Sequence, residues 1–262
     1  MKYIPHDYYI KFMDSTVHAE TLDFHAKGNY TIHDAFKRCT HLHNINNEQL
    51  ALLTGNELRL YPDMDLTLPI HAKADSAKLI LRDESCENFS KINIDFSRIE
   101  KLISPILSSK KDYYKRGYPS GGALYPTEIF ICSLMDDNDS WPCPEKILHL
   151  LPNSRKFEIV QETQVIEDLK QAILSGAETI GTPSVAIVYA VYIPKTLFKY
   201  RYRGYRLALM EVGSIYMLIE LQARMLGLRC RLWSAYTDTM LSKAIGLNPT
   251  VFFPICVHFI VE

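Results

Sequence analysis

Apolar positions recur along this chain in two rhythms, and each predicts a different element. Ile99, Leu102, Ile103, Ile106 and Leu107 share one helix face; Asp95 is placed to cap that helix and Pro105 to kink it or end it early. Residues 165–174 repeat the same amphipathic spacing. Residues 204–226 form the longest apolar stretch, read as a helix that Gly227 stops. Residues 128–134 (EIFICSL) and 183–193 (PSVAIVYAVYI) are continuous β-branched and aromatic runs, read as buried strands. Residues 229–236 read as a further strand, Asp238 as the cap of a helix ending at Gly246, and residues 251–261 as a final, deeply apolar strand.

Helices and strands mix here without a strict βαβ alternation. That order predicts an α+β fold rather than a doubly wound parallel sheet. Composition shifts near residue 90. His6, His18, His25, His33, His41, His43 and His71 all precede it, while the strongly periodic elements follow. The expected organisation is an N-terminal region over 1–90 and a main domain over 91–262.

With 262 residues, 47% hydrophobic and 23% charged, the chain has ample material for a core. A net charge of −1 supplies no global attraction to nucleic acid or to an anionic membrane, so neither is an expected partner. Residues 207–228 are apolar enough to raise the question of a membrane span. Glu211, Ser214, Glu220, Gln222 and Arg224 interrupt them, which favours a helix buried in protein or in a subunit contact. The N-terminal sequence lacks the apolar core of a secretory signal, and the expected location is cytoplasmic. The six cysteines form no C-x-x-C pair and read as reduced, buried, small apolar residues.

Three segments carry candidate chemistry. In Tyr118-Pro-Ser-Gly-Gly-Ala-Leu-Tyr-Pro126, two prolines bracket a turn of small residues. Bare glycine backbone there could cradle a flat ligand, or the segment could be an ordinary tight loop. It matches no phosphate-binding loop, dinucleotide fingerprint or nucleophile elbow. In Lys199-Tyr-Arg-Tyr-Arg-Gly-Tyr-Arg206, an extended backbone would put Lys199, Arg201 and Arg203 on one face. Three readings stand: a proton acceptor beside a cation, a stacking and phosphate patch for single strands, or a solvated basic strand end. Cys39, His41 and His43 alternate as soft and imidazole ligands could, but no fourth ligand is evident, and no metal is expected.

The run from Arg116 to Phe130 (RGYPSGGALYPTEIF) resembles the signature of flavin-dependent dehydrogenases of the nitroreductase superfamily that act on azoline peptides. Within that group it is similar to microcin-synthetase dehydrogenases. Two further runs support the likeness, residues 197–216 (LFKYRYRGYRLALMEVGSIY) and 231–238 (RLWSAYTD), with weaker likeness at 23–30 and 82–89. The resemblance implies a nitroreductase-like sandwich, a sheet flanked by helices, in an interlocked homodimer with FMN at the subunit interface. It implies oxidation of thiazoline or oxazoline rings in a ribosomally made precursor peptide, in complex with cyclodehydratase subunits that the N-terminal region could dock. By motif match, Arg116, Ser120, Gly121, Gly122 and Ala123 are flavin-side residues. Arg82 and Ser85 match the N-terminal flavin motif, and Arg231 and Trp233 join as site residues. Lys199 and Tyr200 match the pair implicated in proton removal, reaching the flavin turn across the subunit contact.

The chain departs from the pattern in three places. Met217-Leu218 stand where the superfamily often has Gln-Asn, and Asp83-Glu84 where a basic doublet is common. No basic tail follows the last strand, so full neutralisation of an FMN phosphate needs another source. A general nitroreductase or flavin reductase using nicotinamide is the enzyme alternative. A peptide- or nucleic-acid-binding subunit is the non-catalytic one.

Overall fold

A computed structural model describes residues 8–31, 46–55, 81–108, 115–136, 139–160, 165–174 and 180–262. The Cys39, His41 and His43 group lies outside them. The chain divides into two compact units, one formed by 1–32 with 81–262 and the other by 33–80. The boundary therefore does not follow the compositional shift at residue 90: residues up to 32 belong with the main unit. In the smaller unit the described residues form helix α2 (Asn47–Gly55).

The main unit is built on a six-stranded antiparallel sheet: β1 (Thr127–Ser133), β2 (Leu148–Leu151), β3 (Lys156–Ile159), β4 (Val185–Tyr192), β5 (Arg229–Trp233) and β6 (Phe252–Val261), in the order β3-β2-β1-β4-β6-β5. All eight residues of β4 are buried, as expected of an inner strand covered on both faces. Ile187, Tyr189 and Val191 join one core with α3 (Phe96–Ile103) and α6 (Arg203–Met225). Ala186, Val188 and Ala190 face a second core with α4 (Val165–Leu174) and α7 (Asp238–Ile245). Helices thus flank the sheet on both sides.

Most predicted elements stand where the apolar rhythm put them. Pro105 ends α3 early, in a 3-10 turn over Ser104–Ile106. Asp95 occupies the cap position of α3 without a side-chain cap bond. Gly227 (φ +67°) and Gly246 (φ +75°) take left-handed conformations just beyond α6 and α7, where a side chain would be strained. Asp238 is the first helical residue rather than the cap; its carboxylate accepts the Tyr30 N–H at 2.7 Å.

Residues 199–206 depart from the extended reading. Lys199 and Tyr200 close a short helix, α5 (Pro194–Tyr200), begun by a proline at its first position. Arg201 leaves it at φ +49°, and Arg203 already starts α6. No basic stripe on one strand face forms, and the single-strand-binding geometry goes with it. Helix α1 (Ser15–Ala26), capped by Asp14 through the Thr16 and Val17 amides, braces this corner. Asp14 also pairs with Arg201 at 2.9 Å, and the Tyr202 hydroxyl donates to Glu20. No helix among the described residues is long and apolar enough to cross a membrane.

Candidate active site

The proline-bracketed turn is held by its own polar groups. The Ala123 N–H donates to the Ser120 carbonyl at 3.0 Å, and the Tyr125 N–H to Ser120 Oγ at 2.9 Å. Gly122 (φ +65°), Ala123 (φ +54°) and Tyr125 (φ +49°) all take left-handed backbone, a cluster of strain typical of sites whose shape matters. Arg116 braces the turn from the side. Its guanidinium donates to the Tyr118 hydroxyl at 2.8 Å and lies 4.5 Å from the centre of the Tyr125 ring. Helix α6 forms the floor: a Cβ on Gly121 would stand 3.0 Å from Leu207 Cδ1.

Lys199 and Tyr200 arrive at this turn from within the same chain. A Cβ on Gly122 would meet the Tyr200 hydroxyl and would lie 2.9 Å from Lys199 Nζ. The ammonium is 5.2 Å from the centre of the Tyr200 ring. The pair therefore does not reach its own turn across a subunit contact, because β1 and β4 carry both into place: Thr127, just past the turn, pairs with Val191, just before α5. The gap between turn and pair is closed, so a flat ring would lie beside the cluster, not inside it. Lys195 ties the two segments, donating to the Tyr125 carbonyl at 3.2 Å and to Glu128 at 2.7 Å.

Arg82 and Ser85 form a separate cluster. Arg82 pairs with Glu220 of α6 at 2.5 Å and donates to Ser85 Oγ at 3.0 Å. Arg231 donates to the Cys86 carbonyl at 3.0 Å, so it borders the same segment. Trp233, two residues on, turns its indole N–H to the Ile173 and Ala235 carbonyls. Leu207 under the turn and Glu220 under Arg82 are thirteen residues apart on α6, about 20 Å of helix. One chain thus brings Arg116, Ser120, Gly121, Gly122, Ala123, Lys199 and Tyr200 together, and keeps Arg82, Ser85, Arg231 and Trp233 elsewhere.

A cavity of about 520 Å³ opens beyond the end of β5, lined by Phe24, His25, Tyr30, Tyr205, Leu209 and Tyr236 among others. His25 stacks on Phe253 (4.1 Å between centres, 7° between planes), and burial pushes its imidazole down to about 4. Sequence reading missed this concavity, because α1 contributes to it with little amphipathic pattern of its own.

Similarity to known proteins settles the family. The chain is 34% identical over 251 residues to the microcin B17-processing protein McbC of Escherichia coli, a match covering 95% of this chain and 91% of that protein. The chain belongs to the McbC family. Its structure matches a chain of the E. coli microcin synthetase McbBCD complex with truncated pro-MccB17 bound, at TM-score 0.88 and 32% identity, covering 99% of this chain and 98% of that one. A candidate nitroreductase from Ralstonia eutropha shares the fold alone, at TM-score 0.56 and 12% identity over 68% of this chain and 78% of that one. No protein-family model matches.

Proposed function

We propose that this chain is an FMN-dependent dehydrogenase that oxidises thiazoline and oxazoline rings of a ribosomally made precursor peptide to thiazoles and oxazoles. The observation that carries the reading is the contact of Gly122 with Lys199 and Tyr200, in a member of the McbC family. FMN, when bound, supplies the two-electron oxidation.

The outer side of the turn suits such a group: Gly122 and Ala123 are exposed, while Lys199 and Tyr200 fill the space a Cβ on Gly122 would take, so a flat ligand would lie beside the pair. The residues beside it suit proton removal. An azoline Cα proton is acidic because the charge left behind spreads into the adjacent imine and carbonyl. Lys199 as the free amine or Tyr200 as the phenolate, side by side at the turn, accepts that proton. A base of this kind contributes about 100- to 10,000-fold.

The two separated clusters are consistent with a homodimer. Met210, Met217 and Leu209 leave the outer face of α6 apolar and exposed, and Leu209 also lines the aromatic cavity. A second copy packed on that face is the proposed means of bringing one chain's turn and Lys199–Tyr200 pair to the other chain's Arg82–Ser85 cluster. Arg82 has one guanidinium edge committed to Glu220, so a phosphate would draw on further basic groups. The unit formed by 33–80 is the proposed contact with cyclodehydratase subunits. Its deletion should abolish complex assembly while sparing the flavin; intact assembly would move docking elsewhere.

The deciding experiment uses purified protein and an azoline-bearing peptide. The protein should be yellow, release FMN on denaturation, and remove two hydrogens per ring. Lys199→Ala and Tyr200→Phe should keep the chromophore and stop the oxidation. A yellow protein with both variants fully active would refute the base assignment, and rapid bleaching by a reduced nicotinamide without peptide would favour a general flavin reductase.

A further inference from the structure

Glu211 is a carboxyl group in an apolar place. It sits on α6 one turn after Leu207, the residue under Gly121, and only 2% of it is exposed. Its Oε1 accepts the Thr127 N–H at 3.1 Å. Among the described residues its Oε2 has no hydrogen-bond partner, and neither has Thr127 Oγ1. The Ser120 hydroxyl, whose oxygen already accepts the Tyr125 N–H, is left with a proton to give and interacts with the Glu211 carboxyl. One side chain thus holds the Thr127 end of the strained turn by a hydrogen bond and acts electrostatically on the Ser120 end.

We propose that Glu211 is a positioning residue for proton removal: from the floor of the site it fixes the turn between Ser120 and Thr127 at the height where Gly122 meets Lys199 and Tyr200. The proposal rests on the reading of that pair as the proton acceptor. It requires no contact between Glu211 and any ligand. Lys195 fixes the same turn from the α5 side through the Tyr125 carbonyl, so turn and base are located by one anchor on each flank.

The neutral carboxylic acid is the form that suits this role. Among the described residues no basic group forms an ion pair with Glu211. Arg116, whose charge acts on it, is committed to Tyr118 and Asn153. A buried, unpaired carboxylate is costly, and a buried acid that can donate is not. Burial accordingly holds the carboxyl above its ordinary range, with Ser120, Thr127 and Arg116 opposing.

The test compares wild type, Glu211→Gln and Glu211→Ala in the full chain. Glutamine keeps the acceptor and supplies the donor; alanine removes both. Amide exchange over 120–127 is read on flavin-free protein, and flavin content, kcat and KM on the loaded enzyme. Glu211→Ala should lose protection at the Thr127 amide and bind less FMN, and its kcat should fall about 100-fold with KM little changed, as a displaced catalytic geometry would give. Glu211→Gln should recover protection, flavin and most of kcat. A folded Glu211→Ala with wild-type exchange and kcat overturns the proposal, and so does a glutamine variant as damaged as the alanine one. Should the alanine chain not fold, the glutamine variant decides alone by the same two readouts. A colourless, inactive wild type would instead count against the proposed function, while the exchange comparison would still report on Glu211.

Discussion

Lys199 and Gly122 face each other with no room for a side chain between them: a Cβ on Gly122 would stand 2.9 Å from the lysine Nζ and would meet the Tyr200 hydroxyl as well. Gly122→Ala tests whether that closeness is used. Alanine at φ +65° costs about 1–2 kcal/mol of fold stability. The atoms it meets are the ends of flexible side chains, so the fold should survive while the pair is pushed back. Azoline oxidation should fall about 100-fold, more than the loss of stability explains. A variant that melts lower yet turns over at the wild-type rate would show that the approach has no part in the chemistry.

A second prediction concerns pH. His149 on β2 lies between Glu128 at 3.1 Å and Glu158 at 3.0 Å. Burial works against its protonation, but the two carboxylates outweigh it and raise its affinity for a proton above the ordinary value of 6.5. A raised value means that the folded chain binds the proton more tightly than the unfolded one. The stabilisation is therefore complete below pH 6.5 and is lost as pH rises through the folded value. Thermal melts should decline from about neutral pH upward in wild type, and His149→Gln should flatten that part of the profile. Glu128 works in the opposite sense. Burial disfavours its charge, yet Lys195 and His149 hold it well below the usual carboxylate range, so its contribution is present above pH 4.5 and lost on acidification. Because Lys195 also anchors the turn, Lys195→Met should lower both the melt and kcat.

The parts of this molecule that could be read in advance are those whose burial is written locally. The strand at β4 is apolar at every position, and α6 repeats its buried residues over six turns, so neither depended on distant partners. Helix α5 was missed because seven residues hold barely two turns, and the alternation Lys199-Tyr200-Arg201-Tyr202 imitates a strand. Helix α1 buries only Val17 and Thr21 among its described side chains; Asp14–Arg201 and Glu20–Tyr202, contacts some 180 residues long in sequence, place it. At the site, the motifs named the turn and the pair, but their meeting within one chain depends on the register of Thr127 with Val191. Glu211 was visible as a charge in an apolar helix. Its spacing of four from Leu207 puts both on the face beneath the turn, which only the fold reveals.

Arg82 and Glu220 allow stability to be separated from ligand binding. The Glu220 side chain is 5% exposed and that of Arg82 43%, with 2.5 Å between charged atoms. Removing Arg82 strands a buried carboxylate whose other neighbour, His258, is itself buried and pushed down to about 3. Arg82→Ala should therefore destabilise the fold beyond the modest value of an exposed ion pair. Arg82→Ala with Glu220→Gln should regain most of that stability, since no unpaired charge is left. FMN affinity should stay low in both, because the arginine is absent from both. Melting curves and FMN titration of the four chains of the cycle measure the two effects apart. If the double variant recovers FMN affinity together with stability, Arg82 acts on the fold alone and has no direct part in holding the cofactor.

The final prediction separates the chain's own fold from the assembled site. Met210 is 67% exposed on the outer face of α6, next to Leu209 and one to two turns before Met217, which are also exposed. The core beneath them is filled by Ala208, Val212, Ile215 and Ile219, so the outer face is free of any load-sharing with the core. An aspartate at 210 would leave that packing untouched and would place a charge where a second copy must dehydrate it. Met210→Asp should keep its helical content and a cooperative melt, and light scattering should show one chain per particle. On the proposed dimer it should also lose FMN, because the Arg82 cluster and the turn at Gly122 stand about 20 Å apart along α6 in one chain and the proposal joins them through a second copy. A monomer that retains stoichiometric FMN and oxidises azolines would mean that each chain builds its site alone, and the dimer would then have to be justified by something other than chemistry.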